Sequence, residues 1–136
     1  MVIDTNHIMS AILSTRGASS KLMDWMTKEN DYFQLVISQP IWNEYTCVAD
    51  WLIPASKLDE KQRILNILHS QSEWIEPDIH LDICKDISDN RFLECAVSGK
   101  ADYLVTKNIK DFPPKKYKDV QIVRIAKFLK ELEKIQ

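Results

Sequence analysis

The stretch Asp89-Asn90-Arg91-Phe92-Leu93-Glu94-Cys95-Ala96-Val97-Ser98-Gly99, continued by Asp102-Tyr103-Leu104-Val105-Thr106, decides the fold class. In its first part Phe92, Leu93, Ala96 and Val97 recur at helical spacing and make one apolar face, with Asp89 at the start and Gly99 placed to stop the helix. The second part is a compact β-prone run that reads as a strand. The same alternation repeats upstream. Val2-Ile3 reads as a short buried strand ending in Asp4-Thr5-Asn6, and Ile8 to Leu13 as a helix that Gly17 breaks. Ser19 or Ser20 is expected to cap a second helix through Lys28, with Leu22, Met23, Trp25 and Met26 on its buried side. Phe33 to Ser38 reads as a strand, Ile41 to Leu52 as a helix opened by Pro40 and closed before Pro54, and Leu58 to His69 as another. Glu73 to Pro77 is a candidate edge strand, Val120 to Ile125 a further strand, and Ala126 to Ile135 a final amphipathic helix. Strands alternating with helices predict an α/β domain with a mostly parallel sheet of roughly five strands. We read residues 1–136 as one such domain.

The composition fits this. With 45% hydrophobic and 28% charged residues and only two glycines, the chain has the balance of a globular protein with a real core. Cys47, Cys84 and Cys95 are odd in number and form no CxxC pair, which argues against a disulfide framework or a structural zinc site and for a reducing, cytoplasmic setting. The opening Met-Val-Ile-Asp lacks the basic start of a signal peptide, and no apolar run approaches the roughly 18 residues of a membrane span. The expectation is a protein neither exported nor inserted. A net charge of −2 gives no global attraction to nucleic acid, so such a partner would need a local basic patch or bound cations. Lys107, Lys110, Lys115, Lys116 and Lys118 form one candidate patch. The competing reading is a solvated lysine-rich loop.

In open parallel sheets, ligands collect outside the carboxyl ends of the strands. Asp4-Thr5-Asn6 follows the first strand, Glu44 lies in the helix after the second, and Thr106-Lys107-Asn108 follows the strand at 103. Asp89 starts the helix leading into that strand. Three carboxylates on one edge, with no compensating arginine cluster, are costly unless a cation neutralises them. Oxygen ligands suit Mg²⁺ or Mn²⁺. Taken singly, Asp4 and Asp89 also read as helix N-caps and Glu44 as an exposed helix acid. Periodicity alone leaves those readings open. His7, His69 and His80 are not needed as catalytic bases, and His7 is expected to pack beside the site. Trp25, Trp42, Trp51 and Trp74 sit mainly at core-like spacings and need no base-stacking role.

The runs Val2-Ile3-Asp4-Thr5-Asn6, Asp89-Asn90-Arg91-Phe92-Leu93-Glu94-Cys95-Ala96 and Ala101-Asp102-Tyr103-Leu104-Val105-Thr106 resemble, in order and spacing, the successive signatures of PIN-domain nucleases. The likeness is greatest to the VapC-like branch of toxin components of toxin–antitoxin systems, and Ile122-Val123-Arg124-Ile125 with Phe128-Leu129 extends it towards the end of the chain. The resemblance implies a PIN-like three-layer α/β/α fold and a metal-dependent endoribonuclease. Asp4, Glu44 and Asp89 match the acids that chelate the catalytic divalent ion, while Thr5, Asn6 and Thr106 match polar residues lining the pocket. Ser38 is a further pocket candidate. It also implies hydrolysis that leaves a 5′-phosphate and a 3′-hydroxyl, with Lys107, Lys110, Lys115 and Lys116 along the RNA backbone. A cognate antitoxin and a homodimer are the expected partners, with no membrane.

One position departs from the family pattern. Asn108 stands where a fourth acid often occurs, which weakens the case for two ions and leaves one intact, with Asp111 or Asp86 as auxiliary acids. The alternative function is a PIN-like module that has lost catalysis and retains RNA or protein binding. A phosphotransferase with Asp4 as covalent nucleophile would need a second aspartate where Asn6 stands.

Overall fold

The structure, a computed structural model, describes residues 1–14, 16–27, 34–112 and 116–135. Strand β1 (Val2–Ile3) is wholly buried and stops at Asp4, whose side chain accepts the His7 amide at 3.3 Å and so caps helix α1 (Thr5–Leu13). Helix α2 (Ala18–Thr27) follows Gly17, which takes φ +97. Ser19 and Ser20 therefore lie inside α2 and do not cap it. Leu22, Met23 and Met26 are buried there, and Trp25 is partly so. Lys28 and Phe33 lie outside the described residues.

Strand β2 (Val36–Ile37) is the buried heart of the run expected at 33–38, and helix α3 (Gln39–Leu52) begins almost at once, with Pro40 in its first turn. Helix α4 (Leu58–Gln71) buries Ile64, Leu65 and Leu68. Strand β3 (Glu73–Trp74) is shorter than expected and lies on the edge. Residues 75–88 form neither helix nor strand, and helix α5 (Asp89–Ser98) follows. Strand β4 (Tyr103–Val105), the edge strand β5 (Lys116–Tyr117), β6 (Val120–Val123) and helix α6 (Ile125–Ile135) complete the chain. Ile125 begins α6, where the sequence reading had it end a strand. Strand β5 was not foreseen: a turn with Lys118 at φ +50 folds it back antiparallel on β6.

Four strands form one sheet in the order β1-β4-β6-β5, and β2 and β3 pair parallel beside it. The Val36 amide donates to the Met1 carbonyl at 2.8 Å, which carries the ladder from β1 to β2. The expected sheet of about five strands is thus four strands with an attached pair. The chain runs outward from β1 to β2 and β3, then returns to place β4 and β6 on the other flank. The direction of winding reverses between β1 and β4, the crevice where open α/β sheets bind ligands. Helix α5 packs on β1, β2 and β4, while α6 packs on β4 and α1 on α2, α3 and α4.

Two sequence readings changed in their physical reason. Gly99 does end α5, yet it sits at φ −83, and Lys100 takes the left-handed conformation at φ 53. Gly99 is required by crowding: an added Cβ would lie 2.6 Å from Val36 Cγ1 and 2.9 Å from the Cys95 carbonyl oxygen. The tryptophans are less uniformly internal than their spacing suggested. Trp51 is 83% exposed, so it contributes little to the core, and Trp74 is 38% exposed in an edge-on group with Trp42 and His69.

Gly99→Ala should therefore destabilise the domain by about 1–3 kcal/mol through overpacking between α5 and β2. Urea unfolding with an unchanged midpoint would show that β2 can retreat, and that the close approach is not a constraint.

Candidate active site

Strands β1 and β4 are neighbours with Ile3 paired to Val105, so the polar residues that follow each strand meet at the carboxyl edge. Thr106 is fully buried, and its hydroxyl donates to Asp4 Oδ2 at 2.6 Å, while the Lys107 amide reaches the same oxygen at 3.3 Å. The other oxygen, Oδ1, receives the His7 amide. Asp4 is only 5% exposed, so it is both a helix cap and a carboxylate fixed at the switch point. The Asn108 amide donates to Thr106 Oγ1 at 3.0 Å, which directs the threonine's own proton towards Asp4.

Glu44 arrives from α3. Thr5 in the first turn of α1 donates its hydroxyl to Glu44 Oε2, and the next residue of α3, the fully buried Tyr45, donates its phenol to the Ile3 carbonyl. Helix α3 is thereby docked on the last residue of β1, one position before Asp4. Burial raises the Glu44 carboxyl above its ordinary range, the Thr5 hydrogen bond opposes this, and Asp86 and Asp4 add to the rise. The exposed-acid reading of Glu44 does not hold, since the side chain is half-buried and bonded.

Asp89 is the first residue within α5 and not its cap. Ser88 occupies the cap position in a helical conformation without a side-chain capping bond. Asp89 Oδ2 is buried and has no hydrogen-bond partner. Its carboxyl is pushed up from 3.8 to about 7, by burial first and then by the charges of Asp86, Asp111, Asp4 and Glu44. Desolvation and like-charge crowding both disfavour the anion. The auxiliary acids Asp86 and Asp111 thus press on Asp89 more strongly than Asp4 and Glu44 do. Among the described residues no three His, Cys, Asp or Glu side chains are already drawn together as a finished metal cage. The acids share one electrostatic field at longer range. An all-oxygen donor set with an unsatisfied buried carboxylate oxygen is the chemistry that suits a hard divalent cation.

The remaining predicted residues divide. Ser38 is buried beside the Cys95 thiol, which burial pushes up to about 12 against the opposing effect of the serine. Asn6 and Asn108 are exposed, as are Lys107, Lys110, Lys116 and Lys118. Lys107 Nζ lies 3.4 Å from Ser10 Oγ, which holds this lysine against the second turn of α1. Lys115 lies outside the described residues. His7 is buried next to Asp4, with Nδ1 3.0 Å from Ser19 Oγ and Nε2 unpartnered, and burial lowers its pKa. It packs beside the site as expected. A cavity of about 480 Å³ opens at the opposite edge, among Met1, Asp102, Gln121 and Phe128, away from the acids.

Comparison with known proteins agrees with this fold. The family model described as PIN domain matches residues 1–110. The chain belongs to the PIN domain family. Members of that family are generally nucleases. The matched segment carries the elements that supply Asp4, Glu44, Asp89 and Thr106. An uncharacterized protein of Methanocaldococcus jannaschii is 32% identical over 106 residues, 74% of this chain, and the match spans 66% of that protein's length. The fold is similar to that of VapBC2 from Rickettsia felis, solved bound to a DNA fragment from its promoter. The TM-score is 0.57 at 20% identity, covering 89% of this chain and 95% of that one.

Within this PIN domain, several supporting residues carried no sequence signal of their own. Tyr45 was not singled out in the sequence, and only its phenol contact reveals its role at β1. Asn90 and Glu94 appeared as parts of a motif, yet both are buried and bonded to residues 81–87. Two polar residues on the otherwise apolar inner side of a helix were the one available hint.

In the folded protein Asp89 holds a proton between about pH 4 and 7 that the unfolded chain has already released, so stability falls as pH rises through that window. Metal-free protein should lose thermal stability between about pH 4 and 7 and level off above, and Asp89→Asn should recover about 2 kcal/mol at the upper end of that window, allowing for solvent screening. Melts of the two proteins with parallel pH dependence would contradict the crowding described here.

Proposed function

We propose that this PIN domain is a divalent-metal-dependent ribonuclease that hydrolyses RNA phosphodiester bonds, with Asp4, Glu44 and Asp89 as its ion-binding acids. The observation that carries the reading is the crowding of Asp89, a buried carboxyl pushed up to about 7 with one oxygen lacking any partner. Such a site gains free energy when a cation enters. Asp4, held by Thr106 and the start of α1, is the rigid member. Asp89, pushed up to about 7, is the member that would release a proton on binding, and burial raises Glu44 in the same direction. Bound by these acids, Mg²⁺ or Mn²⁺ would supply Lewis acidity and a water of lowered pKa. Thr5 and Thr106 orient Glu44 and Asp4, with the exposed Asn6 and the buried Ser38 as further pocket residues. Lys107, Lys110, Lys115 and Lys116 track the phosphate backbone as point charges. Asp86 and Asp111 act as auxiliary acids in place of the charge that Asn108 lacks.

The VapBC2 likeness supports the toxin of a toxin–antitoxin pair as the biological setting, with a cognate antitoxin and a homodimer as partners and the cytoplasm as location. Among the described residues no helix is long and apolar enough to cross a membrane. Asn108 favours a second reading, a PIN-like module that binds RNA or protein without cutting it. It is exposed and contributes only its backbone amide to the Asp4 network.

Purified protein incubated with single-stranded and structured RNAs should cleave with Mg²⁺ or Mn²⁺ and stop with EDTA. Asp4→Asn should reduce the rate by at least about 100-fold, since it weakens the fixed anchor of the ion. Cleavage that persists in EDTA or in the variant would overturn the mechanism, and binding without cleavage in any metal would select the second reading.

A further inference from the structure

Residues 75–88 cross the molecule without a helix or strand, so their backbone groups need partners from elsewhere. The partners come from one face of α5. Near its end, Ser98 Oγ donates to Asp78 Oδ1 at 2.9 Å and accepts the Asp78 amide at 3.2 Å. One turn earlier, Glu94 Oε2 accepts the Leu81 amide at 2.7 Å, and Arg91 pairs with Glu94 at 2.8 Å while donating to the Leu81 carbonyl at 3.3 Å. One turn earlier again, Asn90 Oδ1 accepts the amides of both Ile83 and Cys84 at 3.0 Å, and its Nδ2 donates to the Ile87 carbonyl at 3.1 Å. Positions 90, 94 and 98 follow the helical repeat. The segment is thus laced antiparallel along α5, turn by turn, towards the end where Asp89 sits.

The lacing delivers an acid. Beyond Cys84, the Lys85 amide donates to the Asp111 carbonyl at 3.0 Å, and Asp86 folds back so that its side chain accepts the Ser88 amide and hydroxyl at 3.0 and 2.8 Å. Asp86 and Asp111 are the two acids that act most strongly on Asp89. Asn90 is wholly buried and Glu94 is 5% exposed, which is a high desolvation cost for two polar side chains that touch no acid of the site. Their cost is offset by holding backbone amides that have no other partner among the described residues.

We propose that Asn90 and Glu94 are positioning residues: through residues 81–87 they hold Asp86 and Asp111 beside Asp89 and so set the affinity of the acid cluster for a divalent ion. The inference rests on the metal-binding reading given above. It makes α5 a double element, whose first residue is a ligand and whose inner face fixes the neighbouring charges.

Calorimetric titration of Mn²⁺ into folded protein tests this without RNA. Asn90→Ala and Glu94→Ala should weaken binding by about 10–100-fold, the effect typical of lost outer-shell support. Glu94→Gln, which keeps an acceptor for the Leu81 amide, should recover most of that loss. Asp86→Asn, at an exposed position that leaves the lacing intact, should weaken Mn²⁺ by about 10-fold and serves where an alanine variant does not fold. Variants that are folded by circular dichroism yet bind Mn²⁺ as tightly as wild type would overturn the proposal, as would Asp86→Asn with unchanged affinity. A wild-type protein that takes up no Mn²⁺ would instead overturn the metal reading, and this one with it.

Discussion

The hydrogen bond from Thr106 to Asp4 joins residues 102 positions apart and lies where the winding of the sheet reverses. Much of the molecule is arranged around that junction. Strand β1 supplies only two residues before Asp4, too few for a long ladder, so its end is held by side chains as much as by the sheet. Tyr45 takes the Ile3 carbonyl, Thr5 takes Glu44, and Thr106 takes Asp4. Each bond is buried or partly buried, where a lost partner costs more than a formed bond contributes in water. The carboxyl edge is therefore stiff on the Asp4 side.

On the Asp89 side the physical situation differs. Asp4 has its oxygens bonded, whereas Asp89 keeps one buried oxygen unpartnered and faces four other acids. One carboxyl is held by fixed donors from α1, Thr106 and Lys107, while the other keeps a buried oxygen that no donor reaches.

The sequence showed the architecture well where periodicity was strong. Helix α5 with β4, the bounded helix between Pro40 and Pro54, and the apolar stripe of α4 all lie where the pattern put them. It was less informative where tertiary contacts decide. Ser19 and Ser20 have the chemistry of caps but lie past the true start of α2, and Ile125 was taken up by α6 although it extends an apolar run. Trp51 has core-like spacing and stands in solvent at the last turn of α3. For the site, Asp4 and Thr106 were legible from the strand-end rule, and Glu44 and Asp89 mainly through the family likeness. The lacing of residues 78–88 to α5 was not legible, since backbone amides have no letter in the sequence and Asn90 and Glu94 read only as members of a family motif.

The span of the Asp4–Thr106 bond also governs when the site exists. Thr106 is itself fixed by its amide to the Val123 carbonyl at 3.0 Å, so the pocket closes only after β6 is in place. A chain made from its amino end exposes Asp4 first and must wait for residue 123 before the acids share one edge. A nascent chain therefore carries the acids before it carries their shared edge, which forms only on the finished fold.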